Sequence, residues 1–472
     1  VAGVVGGIYD FIIATVGWWN ESVTSRCLEW GQALADKTKL VFKINTGAAV
    51  LGMGYIVGLK YALIICCGSV AVWWVIVPAI SWLFPDLVVS AGSSSVTASQ
   101  ASAEQIFQYA KSIGIGGIAM AGIIGIFKSR KIIMGAVGLA AQEMKGKGKS
   151  DTAVPRTQKD LSMKIIAVGS LLTLAAILLF FYFGVMEGNL LFTLTGVLLV
   201  AVIAFLFTTV AANAIAIVGS NPVSGMTLMT LILASVIMVA VGLKGPAGMV
   251  AALIMGGVVC TALSTAGSFI TDLKIGYWLG TTPRKQEAWK FLGTFVAAAT
   301  VAGVMIILNK SYGFVGEGAL VAPQANAMAA VIQPLMTGGQ TPWMLYFCGA
   351  ALALVLTSIG VPALAFALGM FIPMELNAPL VVGGLVAWFV SGRSKDEGLN
   401  KARFDRGTLI ASGFIAGGAL MGVVSAVLKF VGVDWFLSGW ASSNAAEWTG
   451  LAMYLVLIGY FAWHTLRAKK EE

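Results

Sequence analysis

The chain has 472 residues, of which 58% are hydrophobic and 11% charged, and its mean hydropathy is +0.90. This composition is typical of an integral membrane protein and leaves no room for a separate soluble domain. The net charge of +9 lies in short loops between apolar runs, which is the positive-inside pattern and argues against nucleic-acid binding. The cysteines form no C-x-x-C pair and there is one histidine, so we predict neither a metal site nor a cofactor.

The apolar runs predict an all-α polytopic membrane protein, because they are continuous rather than alternating. The candidate spans, in chain order, are 1–16, 47–66, 69–84, 106–127, 161–184, 190–212, 224–241, 246–267, 291–308, 343–358, 361–372, 379–390, 407–430 and 450–466. The first run begins at Val1 with neither a methionine nor a basic segment before it. We therefore expect that amino-terminal spans are missing from this chain.

Basic residues assign the loops to the two sides of the membrane. The loops 128–160, 271–290 and 393–406 are rich in lysine and arginine, so we predict that they are cytoplasmic. The segments 93–100 and 309–341 are nearly free of basic residues and are predicted to be external. The number of crossings then agrees with these sides only if 361–390 forms a broken or re-entrant pair.

Two segments could form such broken pairs. Pro362, Pro373 and Pro379 supply breaks in 361–390, and the stretch 47–84 is similar. Several glycines and tryptophans of the two stretches match without a gap at an offset of 315: Gly54 and Gly369, Gly68 and Gly383, Trp73 and Trp388. Further on, Gly117 and Gly417 match at an offset of 300.

The charge assignment gives 106–127 and 407–430 opposite directions. Matching segments that run in opposite directions indicate inverted repeats, which many secondary transporters contain. We expect residues 1–160 to be the remainder of a first membrane repeat with a basic cytoplasmic loop. Residues 161–472 would then form the second membrane repeat.

The segment 221–227 interrupts two long apolar runs. Its proline and glycine, Pro222 and Gly225, leave backbone groups unpaired, and lipid cannot satisfy them. Such breaks inside a membrane are common at solute sites of transporters. The predicted substrate-binding residues here are Asn213, Asn221, Ser224 and Thr227. The alternative is a capped turn between two ordinary spans, because Asn-Pro-x-Ser also begins helices elsewhere.

Ionisable residues inside the predicted broken pairs are further candidates, because charge at membrane depth is costly and often functional. Glu375 is the predicted proton carrier, and Lys60, 315 positions earlier, is a predicted gating residue. Asp10 could be a second proton-coupling carboxylate, while Tyr55 and Asn377 could contact the solute. The alternatives are that the pairs reach an interface, where a charge costs little, and that Asp10 lies at a helix end.

The segment 272–284 could form a cytoplasmic gate. It places Asp272 and Arg284 in a polar connection between two spans. An ordinary positive-inside loop is the alternative interpretation.

Four segments resemble the oligopeptide transporter (OPT) family. They are 219–227 (GSNPVSGMT), 48–58 (AAVLGMGYIVG), 272–286 (DLKIGYWLGTTPRKQ) and 362–390. The resemblance implies a secondary transporter built by duplication and driven by protons, whose relatives import short peptides, glutathione-like compounds or metal chelates. It also implies that Asn221, Ser224 and Thr227 contact the solute. The short soluble loops resemble the prokaryotic branch.

The sequence therefore predicts a proton-coupled symporter that imports short peptides or metal-chelate solutes by alternating access, in the plasma or inner membrane. A non-transporting scaffold subunit of a larger complex is the alternative. An enzyme is disfavoured, because the single histidine and the sparse intramembrane carboxylates form no catalytic cluster. The sequence leaves open the solute, the choice between protons and sodium, and the oligomeric state, with a homodimer as one arrangement.

Overall fold

The computed structural model describes residues 1–91, 94–128, 134–135, 138, 155–218, 223–314, 323–337 and 342–469. Helices dominate these ranges, and two short antiparallel strand pairs, β1–β2 and β3–β4, complete them. The helices are α1 (Ala2–Phe11), α2 (Glu29–Thr38), α3 (Ala48–Val57), α4 (Leu59–Val70), α5 (Val77–Leu83), α6 (Ala103–Lys128), α7 (Met163–Phe180), α8 (Leu190–Val218), α9 (Val223–Val241), α10 (Gly245–Leu279), α11 (Pro283–Ser311), α12 (Pro323–Thr337), α13 (Trp343–Ser358), α14 (Ala363–Phe371), α15 (Met374–Ser391), α16 (Glu397–Phe430), α17 (Ser438–Ala441) and α18 (Asn444–Leu466). The strands are β1 (Ser22–Thr24), β2 (Lys43–Asn45), β3 (Val88–Ala91) and β4 (Ser94–Thr97).

Within the described ranges, eight helices are long and apolar enough to cross a membrane. Several of them expose apolar side chains along their length, among them Leu171 and Leu172 of α7 and Phe291 and Phe295 of α11. Large exposed apolar faces on long helices are stable only in lipid or against other apolar surfaces. The prediction of an all-α, multi-pass membrane protein is confirmed.

The chain forms two compact units. Unit 1 comprises residues 1–117, 303–323 and 344–472, and unit 2 comprises residues 118–302 and 324–343. In unit 2, α10 packs on α8 and α9 around a core that includes Phe181, Phe207 and Met255. The predicted repeat boundary between residues 160 and 161 stays a prediction.

Unit 1 is built around two helix pairs that are each interrupted by a break. α3 ends at Val57 and α4 begins at Leu59, with Gly58 between them at φ +78°. α14 ends at Phe371 and α15 begins at Met374, after Ile372 and Pro373. With 10 residues in α3 and 9 in α14, each spans only about 15 Å at 1.5 Å per residue, which is too short to cross the hydrocarbon core.

The two broken pairs begin in the same register. α14 begins 315 residues after α3 (363 − 48), and α15 begins 315 residues after α4 (374 − 59). This is the offset at which the glycines and tryptophans match in the sequence. The repeated residues therefore occupy equivalent positions in two equivalent structural elements.

The contacts between the pairs are reciprocal. A methyl group at Gly54 would overlap the backbone of Leu380, and one at Gly383 would overlap the backbone of Leu51 and Gly54. At the equivalent crossing, Gly68 meets the backbone of Phe366, and Gly369 meets that of Ile65. Exchanging each residue for its counterpart converts one set of contacts into the other, as a pseudo-two-fold axis requires.

The equivalent helices α4 and α15 run antiparallel. Leu59, at the start of α4, lies against Gly384 in the second half of α15. Ser69, near the end of α4, accepts a hydrogen bond from Asn377 in the first turn of α15. Equivalent helices in opposite directions are the arrangement of an inverted repeat, so the predicted inverted-repeat fold with broken helices is confirmed.

The first break lies at a position different from the one that the span boundaries predict, and the second lies where they predict it. The predicted interruption near residues 67–68 is instead at Gly58, because Gly58 has the positive φ that glycine adopts readily. Gly68 lies inside α4 and allows close packing. In the second pair the break falls at Ile372 and Pro373, as the predicted span end at residue 372 and Pro373 indicate, whereas Pro379 lies within α15 and does not break it.

Replacing Gly369 by alanine should destabilise the fold, because the new methyl group would overlap the Ile65 carbonyl and backbone cannot move aside cheaply. We expect a loss of about 1–3 kcal/mol or more, measured as a lower unfolding temperature of the purified chain in detergent. The control is Gly257→Ala, at a helical glycine with nothing within 4 Å. Equal unfolding temperatures for the two variants would contradict the glycine crossing.

Candidate functional site

A charged cluster lies at one end of unit 1. Arg26 forms a two-pronged ion pair with Glu104, with Nη1 3.0 Å from Oε1 and Nη2 3.0 Å from Oε2. Lys43 Nζ lies 3.5 Å from the same Oε1. All three side chains are about 30% exposed, so the charges are shielded from much of the solvent and interact strongly.

Local structure places these three side chains together. Arg26 follows β1 in a turn that is capped by the Thr24 hydroxyl, and Lys43 pairs with Thr24 in the β1–β2 register. Glu104 lies in the first turn of α6, where the free N–H groups of the helix favour a carboxylate. The strand pair therefore brings both cations to the beginning of α6.

Glu375 joins this cluster from α15, in the first turn after the helix break. β2 packs on α15, and Lys43 acts on the Glu375 carboxylate as an attractive charge, while Glu21 and Glu104 repel it. Among the described residues, no ion pair within 4.0 Å includes Glu375. Glu375 is thus a half-buried carboxylate near a cation that is already bound to Glu104.

The carboxylate of Asp10 caps a helix beside the same strand. Its Oδ1 accepts a hydrogen bond of 2.9 Å from the Ala48 N–H at the start of α3. Next to it, Asn45 donates to Glu21 Oε1 at 3.0 Å and accepts from the Gly47 N–H at 2.8 Å. The Asp10 carboxylate therefore caps the start of α3, just after β2, while Glu375 lies in α15, on which β2 packs. Proton coupling by these two residues stays a prediction.

Asn377 connects the two broken pairs. It is 1% exposed, and its Nδ2 donates to Ser69 Oγ and to the Ile372 carbonyl at the break. Ser69 Oγ in turn donates to the Gly369 carbonyl at 2.7 Å. The Asn377 Oδ1 is buried and has no hydrogen-bond partner in the described part of the chain, and a solute contact at Asn377 stays a prediction.

Tyr55 lies elsewhere in unit 1. Its ring is fully buried and packs on Phe404 and Phe461, with centroids 5.8 and 4.8 Å away. Its hydroxyl points to the carbonyls of Arg403 and Phe404 near the start of α16. These residues belong to the segment 393–406, which the charges predict to be cytoplasmic. The structure does not bring Tyr55 and Asn377 together, and a solute contact at Tyr55 stays a prediction.

The predicted gating residues occupy separate places. Lys60 is exposed in the first turn of α4. In unit 2, Asp272 pairs with Lys290 at 2.5 Å, whereas Arg284 is exposed and its backbone N–H donates to the Lys159 carbonyl. The predicted polar connection is thus shorter than the sequence indicates, because Asp272 lies within α10 and Arg284 in the first turn of α11. The two residues do not pair with each other, and their gating role stays a prediction.

The segment that the sequence singles out first lies largely outside the described residues. Asn221 is not among them, and the side chains of Asn213, Ser224 and Thr227 are not described. α8 is described as far as Val218 and α9 from Val223, and residues 219–222 between them lie outside the described residues. Solute binding by these four residues stays a prediction.

Sequence reasoning missed Arg26, Lys43, Glu104 and Lys111. The first two depend on the pairing of β1 with β2, which no local pattern in 22–45 reveals. Lys111 gave a usable signal, because it is the only charged residue in the run 106–127. The rule that marks Lys60 and Glu375 applies to it equally.

The charges of the cluster do not balance. The cations Arg26 and Lys43 lie with the carboxylates of Glu104, Glu21 and Glu375, and Asp10 interacts with Glu21, so the negative charges outnumber the positive ones. Glu104 precedes the apolar run of α6; burial raises its pKa, but the helix N–H, Arg26 and Lys43 outweigh burial and bring the pKa below its ordinary value. Glu104 is thus ionised at neutral pH.

The described ranges contain no group of three or more His, Cys, Asp or Glu side chains that could hold a metal ion.

Antiparallel broken helix pairs in a bundle of membrane-spanning helices, with charged side chains at the breaks, define the class of polytopic membrane transporters. The profile of the OPT oligopeptide transporter protein family matches residues 1–429, and the chain belongs to this family. A Haemophilus influenzae protein named as a candidate oligopeptide transporter is 28% identical over 487 aligned positions, which cover 92% of this chain and 75% of that protein. The family resemblance of the sequence is thereby confirmed.

Replacing Glu104 by glutamine should lower the unfolding temperature at pH 7, because Arg26 and Lys43 would lose their partner. A carboxyl whose pKa is lowered by folding stabilises the fold fully above its unfolded pKa of about 4.3, and this contribution is lost as the pH falls through the folded value. The difference between the native chain and the variant should therefore shrink below about pH 4. Glu187→Gln, at an exposed site, is the control, and a difference that persists at low pH would exclude the ion pair as its cause.

Proposed function

We propose that this chain imports short peptides or peptide-like metal chelates across the cell membrane, as a proton-coupled symporter that works by alternating access. Membership of the OPT oligopeptide transporter family supports transport of a peptide-like solute, and so does the name of the Haemophilus influenzae relative. Protons as the coupling ion, the cell membrane and alternating access are part of the proposal.

The position of the Glu375 carboxylate is the observation that supports proton coupling. It lies at a helix break, half-buried, in a cluster that has more carboxylates than cations. Arg26 and Lys43 bind Glu104, Asn45 binds Glu21, and Asp10 caps α3, so Glu375 is the carboxylate with the weakest compensation. A proton on Glu375 would reduce the excess negative charge, and a less charged set of groups moves through a low-dielectric region at lower cost.

The pseudo-two-fold crossing supports alternating access. Two equivalent broken pairs that run in opposite directions have their breaks toward opposite ends of the bundle. If the pairs exchange conformations, the end that is closed in one state becomes the open end in the other. Alternating access then needs only small movements about the glycine crossing.

Replacing Glu375 by glutamine should abolish uptake driven by a pH gradient but leave solute exchange intact, because glutamine keeps the shape and cannot carry a proton. The assay is uptake of labelled trialanine and of a ferric tricarboxylate chelate into proteoliposomes, with an inward proton gradient, an inward sodium gradient or none. Asp86→Asn, at an exposed carboxylate, is the matched control.

The outcomes separate the alternatives. Uptake by Glu375→Gln that keeps its full dependence on the pH gradient would remove Glu375 as the proton carrier. If uptake by the native chain depended on the sodium gradient alone, sodium and not the proton would be the coupling ion. Absence of uptake and exchange under every condition would favour the scaffold subunit.

A further inference from the structure

Lys111 is a buried cation inside an apolar helix. It is the only charged residue of the run 106–127 in α6, and it is 7% exposed. An ammonium group removed from water is costly unless an anion or several acceptors replace the lost hydration. The neighbours of Lys111 therefore decide what the residue does.

The chain gives this ammonium group little compensation. Its Nζ donates to Gln108 Oε1 at 2.5 Å, and Gln108 is neutral. No ion pair within 4.0 Å includes Lys111 in the part of the chain that the structure describes. An ammonium has three N–H donors, so two of them have no acceptor among these residues.

The ammonium is buried but close to the surface of unit 1. Gln108, the residue that binds it, is exposed, so a rotation of this amide would open access to the Nζ. Glu104, Gln108 and Lys111 follow one another at spacings of four and three residues on one face of α6. This polar row leads from the charged cluster at Glu104 toward Lys111, about 10 Å further along the helix.

We propose that Lys111 binds a carboxylate of the transported solute, either the terminal carboxylate of a peptide or a carboxylate of a metal chelate. A carboxylate supplies the negative charge that the site lacks and accepts short, charge-assisted hydrogen bonds from the free N–H groups. Gln108 would give up its contact or share it as the anion enters. This inference rests on the proposed uptake of such solutes.

The experiment compares ligands with and without the carboxylate. Binding of trialanine, trialanine amide and a ferric tricarboxylate chelate to the purified chain is measured in detergent by thermal unfolding and tryptophan fluorescence. We expect the native chain to bind a carboxylate ligand about tenfold or more tightly than the amide, and Lys111→Met to lose this preference. Lys111→Arg should keep part of it.

Matched variants keep the result interpretable. An unpaired buried cation can be replaced by an apolar side chain of similar volume without loss of stability, so Lys111→Met should fold, as its unfolding temperature without ligand will show. Lys128→Met changes an exposed lysine at the other end of α6 and should bind like the native chain. A preference for trialanine identifies peptides as the solute class, and a preference for the ferric ligand identifies chelates.

Three results would overturn the inference. They are a native chain that binds no carboxylate ligand, a Lys111→Met variant that keeps the preference, and a site that responds to chloride alone. Uptake of trialanine amide by the native chain tests transport without the carboxylate. A failure of the carboxylate site is thus distinguishable from a failure of the proposed function.

Discussion

The glycine crossing of the two broken helix pairs is the constraint on which the rest of unit 1 depends. Gly54, Gly68, Gly369 and Gly383 let backbone lie directly on backbone. In lipid, apolar side chains gain little by leaving one apolar surface for another, so membrane helices associate through such close packing. Because α4 and α15 cross antiparallel, their breaks are directed toward opposite ends of the unit. One break begins α15, which packs on the β2 strand, and the other follows Tyr55, whose hydroxyl contacts carbonyls near the start of α16.

The repeat is symmetric in its backbone and asymmetric in its chemistry. Glu375 and Lys60 occupy equivalent positions, yet one is an acid in a charged cluster and the other is an exposed base. The helix register preserves the shape of the two breaks, while each side chain adapts to its own end of the unit. A proton-coupled transporter, as proposed here, would need this difference between the two breaks. A proton that bound equally well at both ends of the unit would have no preferred binding site.

The register of the fold could be read from the sequence, whereas its contacts could not. The offset of 315 appears in the glycines and tryptophans, since the second helix of each pair begins 11 residues after the first (59 − 48 and 374 − 363). The sequence predicts the first break near Gly68 rather than at Gly58, because two glycines in apolar surroundings are alike in a sequence. Only the structure shows that one has a positive φ and the other a close backbone neighbour. Ser69 and Asn377 are 308 residues apart, and the two cations at Glu104 depend on a strand pair, so neither contact follows from local pattern.

The two proposed sites, at Glu375 and at Lys111, would be coupled by their charges. The carboxylates around Glu104 outnumber the cations there, so the cluster attracts the Lys111 ammonium group from a distance, without an ion pair between them. Seven residues of helix separate Glu104 from Lys111, about 10 Å, at which unit charges interact by about 1–2 kcal/mol at an effective dielectric constant of about 20. A proton on Glu375 would remove one negative charge from the cluster and weaken its attraction for Lys111. An anionic solute would then bind more favourably, and by linkage the bound anion would favour the proton. Under the proposed function, this interaction between the charges favours binding of the proton and the solute together, without a direct contact between them.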